Sequence, residues 1–451
     1  MQQLKSAQQM PGSFGVPILS DLQFVATEGY GLIEGLHRYG PVFKTSIIGQ
    51  KCAVLIGPEA NRLVLQEQAD CLSSYLGWRF FMEHVFGRPM MIQDGQQHMR
   101  TRRLMTPAFH SAALTSYFQT METIASASLK DWATRGEINL SHELRKATLL
   151  VGIQLLLGVQ AQQEIEEVGK YYNELLKGAI ALLRFNVPFT TYGRSQIARQ
   201  KLKNQLQEII AQRRQQGLQA TQDVLGLFLA TVDEDGNSLP EEQIMDELIH
   251  LVNGSHFTTA GVLSWAMFEL AARPEWRDRL QQELNQVVGK ESLNVGHLRQ
   301  LTQMTYFLKE IERLYPPTSI IVRGVVKEIE YAGYRIEPGW SIIISQFLTH
   351  RLPEIYTNPE QFDPERFAPG REEDKKIPFS LVGFGGGAHI CIGREFALME
   401  IKIFLALLLR QYHWTITPEY SQLAPVLVPP KAQEKLRAKM AMGACPDCYT
   451  L

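Results

Sequence analysis

Cysteine is scarce in this chain: five among 451 residues, at positions 52, 71, 391, 445 and 448. So few and so scattered, they exclude a disulfide framework and fit a reducing compartment. A surplus of charge is missing too. Lys and Arg number 45 against 47 Asp and Glu, a net charge of −2. That balance argues against nucleic acid as the main partner. No apolar run of signal or anchor length opens the chain, and Met1 to Met10 reads as a polar segment predicted to be disordered. The expectation is a soluble, cytoplasmic protein with no transmembrane anchor. No internal repeat is visible. Neither a second cysteine pair nor a histidine set accompanies Cys445 and Cys448, so residues 440–451 read as a frayed tail with free thiols rather than a zinc site.

What is present is a large apolar complement, 45% of the residues, enough for a sizeable core. Pro11 to Pro17 is a stiff opening turn, and Val42 to Ile56 reads as two β runs around a glycine-containing hairpin. From about residue 100 to 315 the apolar spacing is helical, as at Leu202, Leu206, Ile209 and Ile210. A second β-rich patch covers Ser319 to Ser345, so the pattern by itself reads as mixed and helix-rich. Asp233 to Ser238 and the charge run Arg371 to Lys376 read as exposed, solvated loops.

One cysteine has a distinctive setting. Phe384-Gly385-Gly386-Gly387-Ala388-His389-Ile390-Cys391-Ile392-Gly393 puts Cys391 after a run of glycines and before a helix-like stretch. Glycines let the backbone approach a large flat object, and the start of a helix favours a thiolate. A single thiolate held that way is suited to haem iron. Gly383-x-Gly385-x-x-Ala388 also fits a relaxed dinucleotide fingerprint, but no acidic residue about 20 positions on completes it.

The order Phe384, Gly387, Cys391, Gly393, with Ala397 beyond, resembles the haem-binding loop of the cytochrome P-450 family of haem–thiolate monooxygenases. The matching motifs run in one order from Pro11 to beyond Cys391. They imply a single catalytic domain over residues 1–451, mainly α with a small β portion: the family's triangular prism of helices around a buried haem b ligated by Cys391. By the same resemblance, Glu310, Arg313 and Arg366 form a buried charge network bracing the proximal side. His98, Arg102, Arg323 and His389 match the groups that hold the two propionates, although many relatives have Trp at the position of His98 and Arg at that of His389.

Asp246 to Glu269 reads as the family's distal helix. Gly254 fits the pattern and Thr258 keeps the hydroxyl that serves bound oxygen, but Phe257 stands where an acid is usual. His256 is the neighbouring candidate for moving protons. Tyr75, Phe81, Phe86, Gly254, Phe257, Ile320, Ile321, Val426 and Leu427 match pocket-lining positions and imply a bulky, mainly apolar substrate of terpenoid, retinoid, sterol or fatty-acid type. Arg184, beside Phe185, is the one cation near the expected lid. The implied activity is insertion of one oxygen atom from O2, with electrons from a separate ferredoxin- or flavodoxin-type donor and its reductase, docking near Arg394 and Lys402. The missing acid leaves a haem peroxygenase or isomerase open as an alternative, and a catalytically silent binding protein on the same fold is a second.

Overall fold

The computed structural model describes residues 4–15, 30–47, 49–179, 181, 184–217, 223–417 and 436–443. Val426, Leu427, Cys445 and Cys448 lie outside these described residues. The chain divides into two compact units. The first is Met1–Trp78, Met304–Cys391 and Leu423–Ala432; the second is Arg79–Gln303, Ile392–Gln422 and Gln433–Leu451.

The first unit is built on a five-stranded sheet. Val42–Ile47 and Gln50–Leu55 form the antiparallel hairpin expected from their alternation. Gly49 turns it with a φ of +68°, a conformation that suits glycine. Gln50–Leu55 then runs parallel to Ser341–Ser345, which pairs antiparallel with Ile320–Val325, and Leu72–Ser73 closes the edge. Because successive side chains alternate, the sheet feeds two apolar cores. One holds Leu55, Leu65, Ile342, Ile344 and Val382; the other holds Phe43, Val54, Ile343 and Phe347.

Residues 4–10 differ from the sequence expectation of disorder. Lys5 and Ser6 pair parallel with Tyr334 and Arg335, and Ser6 caps a short turn of 3-10 helix. Ala7 and Met10 are buried in the first core. A segment this polar on average is ordered by two small apolar anchors and an unused strand edge.

The second unit is helical. Its longest helix, Glu241–Ala272, packs along Leu140–Leu156, and Arg394–Gln411 packs along Ser111–Arg135. Aromatic contacts fix the second pair: Trp132 stacks on Phe404 at 6.2 Å, and Tyr117 meets Phe396 edge-on at 6.0 Å. Trp414 donates its ring N–H to the Met267 carbonyl (3.0 Å). A three-stranded sheet of Tyr412–Ile416, Arg437–Met442 and Glu137–Asn139 completes the unit. Residues 440–442 are therefore paired strand, where the sequence reading placed a frayed end. No helix among the described residues is long and apolar enough to cross a membrane.

Candidate active site

In the first unit the Cys391 loop is shaped by backbone. The Gly385 N–H donates to the Val382 carbonyl (2.8 Å), Ile390 to Gly387 (3.2 Å) and Cys391 to Phe384 (2.9 Å). Gly385 and Gly387 take φ values of +74° and +61°. At Gly387 a Cβ would also overlap the Leu65 carbonyl oxygen, so the glycine is required twice over. Gly393 has an ordinary φ of −87° and a Cβ there would meet nothing within 4 Å, so the protein's own packing does not explain that glycine. Cys391 is exposed and carries no disulfide.

The loop is anchored by a residue the sequence reading missed. The Val382 N–H donates to His350 Nε2 (3.0 Å), and His350 Nδ1 lies 3.2 Å from the Arg313 carbonyl. These partners require the proton on Nδ1. Burial, reinforced by Arg313, lowers the His350 pKa to about 3, so the ring stays neutral. The Gly383 N–H donates to Glu312 Oε1 (3.0 Å). The helix Thr302–Leu314 thus holds the start of the loop directly at Gly383 and, through His350, at Val382.

The same helix carries the expected charge network. Arg313 is bidentate to Glu310 (2.7 and 2.8 Å), and Arg366 Nε reaches the same carboxylate at 3.1 Å. All three residues are fully buried. Arg313 also donates to the carbonyls of His350 and Pro359, and Arg366 to that of Thr357. The network has a fourth member. Arg366 Nη1 lies 2.7 Å from Glu373 Oε2, and Arg371 holds the other oxygen of Glu373 at 2.7 Å. Burial opposes ionisation of Glu373, but the two guanidiniums prevail and hold its carboxyl below the usual range. The run Arg371 to Lys376 is therefore not simply a solvated loop: Glu373 is buried and Asp374 pairs with Lys309 at 2.6 Å.

Arg323 and His389 are brought to one neighbourhood. His389 Nε2 lies 3.3 Å from Ser74 Oγ, Ser73 pairs with Gly324, and the Arg323 Cα lies against Gly77. Ile320 and Ile321 are separated by strand alternation, Ile321 packing on the first core and Ile320 on the second. Tyr75 is half-buried.

In the second unit Thr258 Oγ1 donates to the Gly254 carbonyl (2.6 Å), which leaves the hydroxyl oxygen able to accept a proton donor. A Cβ on half-buried Gly254 would meet nothing within 4 Å. The helix therefore has an opening one turn before the hydroxyl. Phe257 lies under the Arg145 guanidinium, 5.2 Å from its ring centroid. His256 is buried, and its carbonyl accepts from Thr148 Oγ1 (3.0 Å). Burial first and Arg145 second lower its pKa to about 4, so it can pass a proton only as neutral imidazole.

The helix Gly95–Met105 sorts its cations by face. Arg100 and Arg103 pair with Asp233 and Glu234, each at 2.7 Å. His98 and Arg102 share the other face, buried and half-buried respectively. Phe81 meets Phe80 edge-on at 5.3 Å, while Phe86 is buried edge-on to His250 at 5.6 Å.

The family model for cytochrome P450 matches residues 11–433, almost the whole chain and both units. The chain belongs to the cytochrome P-450 family. It is 29% identical over 432 residues to cytochrome P-450 120 of Synechocystis sp., covering 95% of this chain and 96% of that one. It is 28% identical over 421 residues to a beta-amyrin 28-monooxygenase of Saponaria officinalis, covering 90% and 85%. The solved structure of a retinoic acid bound cyanobacterial CYP120A1 superposes with a TM-score of 0.90 at 28% identity, over 98% of this chain and all of that one.

As a cytochrome P-450, the protein is a monooxygenase that uses a cysteine-ligated haem b. The residues fit that group. Cys391 offers an exposed sulfur, outside any disulfide, of the kind that ligates haem iron. Glycines 387 and 393 keep bulk away from its loop. Arg323 and His389, in one neighbourhood of the first unit, are donors of the kind a propionate accepts from. Lys402, expected on a docking surface, instead donates to the Leu298 carbonyl (3.0 Å) and is half-buried; Arg394 is exposed.

Proposed function

We propose that this cytochrome P-450 hydroxylates or epoxidises a bulky, mainly apolar molecule of terpenoid or retinoid type. The proposal takes the chain as one catalytic domain, since the family match runs through both units. The observation that carries it is the Cys391 loop: an exposed thiol on a backbone turn that is held from below by His350 and Glu312. We assign Cys391 as the iron ligand and His98, Arg102, Arg323 and His389 as propionate partners. When bound, the haem supplies the oxygen-activating chemistry, with the thiolate favouring O–O cleavage.

The chain's own residues do the rest. Thr258 accepts a hydrogen bond from a water in the opening beside Gly254 and so places a proton where reduced oxygen needs one. Phe257 carries no proton, so water reaching Thr258 is the source. Phe81 and Gly254 border the apolar substrate. The named relatives, one acting on beta-amyrin and one holding retinoic acid, support that substrate class. In this reading a separate ferredoxin- or flavodoxin-type protein delivers the electrons, with Arg394 among its contacts.

The test is direct. Purified protein should bind haem and show the thiolate type of spectrum in its reduced carbon monoxide complex, and Cys391→Ala should lose it. Turnover of terpenoid and retinoid substrates should need a reductase system and O2. Turnover with peroxide alone, at an equal rate, would overturn the monooxygenase assignment. Arg394→Glu should slow electron delivery without altering substrate affinity.

A further inference from the structure

Arg184 differs from every other cation around it. Arg194 donates to Glu174 and to the Phe189 carbonyl, Arg199 pairs with Asp246 at 3.3 Å and Lys203 with Asp246 at 2.9 Å. Arg184 has no carboxylate within ion-pair distance among the described residues. Its guanidinium lies on the Phe80 ring, 3.8 Å from the centroid, and Nη2 donates to the Phe80 carbonyl (2.6 Å). Nε is buried and finds no acceptor among the described residues.

The setting is costly for the cation by itself. Burial lowers the Arg184 pKa, yet guanidinium does not give up its proton at any ordinary pH. The nearby ring of His84 is kept neutral by burial, with a pKa of about 4, and Glu83 is taken up by Arg88 at 2.7 Å. One side of the group is thus a desolvated positive charge with an unused donor. Around it stand exposed aromatic faces: Phe80 is 42% and Phe185 64% exposed. Cation and apolar surface, side by side, complement an amphiphile with one negative end.

We propose that Arg184 binds the carboxylate of an apolar carboxylic acid, whose hydrocarbon body lies on Phe80 and Phe185. This rests on the proposed function and narrows it: the substrate class becomes apolar acids rather than alcohols or hydrocarbons. The carboxylate takes the Nε donor and the guanidinium edge left over by the Phe80 carbonyl. No bond forms or breaks at this site, which only anchors one end of the molecule.

The test uses haem-loaded full-length protein and paired probes: palmitic acid with hexadecanol, and abietic acid with abietinol. Affinity is read by optical titration and by thermal shift at pH 7.5. In wild type at least one acid should bind about tenfold or more tightly than its alcohol, the scale of a charge-assisted hydrogen bond. Arg184→Gln should bring that ratio to about one, and Arg184→Lys should keep part of it. Phe80→Ala, which removes the stack but leaves the charge, should keep the acid preference while weakening both members of the pair. The proposal is overturned if no acid is preferred in wild type, or if Arg184→Gln retains the preference. Failure of the protein to take up haem at all would strike at Cys391 instead, so the two readings fall to different results.

Discussion

At the scale of single residues, two positions carry most of the consequence. Gly387 combines a left-handed φ with a contact that leaves no room for a methyl group. Gly387→Ala should destabilise the loop by about 1–3 kcal/mol or more and weaken haem retention, measured by unfolding midpoint and haem transfer to an acceptor protein. Phe257 is the departure from the family pattern. Its ring lies under Arg145, so Phe257→Asp puts a carboxylate within reach of a guanidinium. The variant should keep haem binding and raise the fraction of electrons that end in product. Unchanged or poorer coupling, measured as product per reducing equivalent, would count against water as the wild-type proton source.

At the scale of elements, the helix Thr302–Leu314 is the brace of the first unit. It holds the cysteine loop through Glu312 and His350 and ties Arg366 and Glu373 into one buried set. Glu310→Gln leaves Arg313 with carbonyl partners only and should cost about 3–5 kcal/mol, seen in denaturant unfolding. In the second unit the helix Glu241–Ala272 is bolted to the segment before Gly95–Met105 by two neighbouring carboxylates. Asp246 accepts from the Arg88 N–H (3.0 Å) and Glu247 from the Met90 N–H (2.6 Å). Burial pushes the Glu247 pKa up to about 8, against the pull of the Met90 amide. A carboxyl with a raised folded pKa contributes stability that is complete below its unfolded value of 4.5 and is lost as pH rises through 8. Between pH 5 and 7, wild type should therefore lose about 2–3 kcal/mol relative to Glu247→Gln, measured by paired urea melts. A constant difference would show that Glu247 does not titrate there.

At the scale of the whole molecule, haem binding and folding are linked. A ligand bound only by the native state adds stability by mass action, about 4 kcal/mol at a thousandfold excess over its dissociation constant. Stripping the haem should lower the melting temperature of wild type, and restoring it should raise that temperature again; in Cys391→Ala the gain should shrink. The chain is near-neutral, with a net charge of −2, so the proposed electron-donor docking would rest on local charges such as Arg394 rather than on a global field.

The sequence by itself determined the local grammar and the cofactor chemistry. The hairpin at 42–55 follows from alternation and glycine placement, whereas the long helix around Thr258, the Cys391 turn and the Glu310–Arg313–Arg366 set follow from motifs that resemble the family's in type and order. Tertiary structure alone decided which polar groups lost their water. His350 sits far along the chain from Arg313 and Val382, Glu373 lies in a charge run that reads as solvated, and neither carries a motif of its own; the polar opening segment became strand only because an edge at Tyr334 and Arg335 was there to pair with it. Arg184 was visible as a lone cation, but its stack on Phe80 and its unmatched buried donor exist only once residues about a hundred positions apart share one surface. The physical reason is the same in each case: periodicity reports which face of an element is apolar, whereas desolvation depends on what the folded chain brings against it.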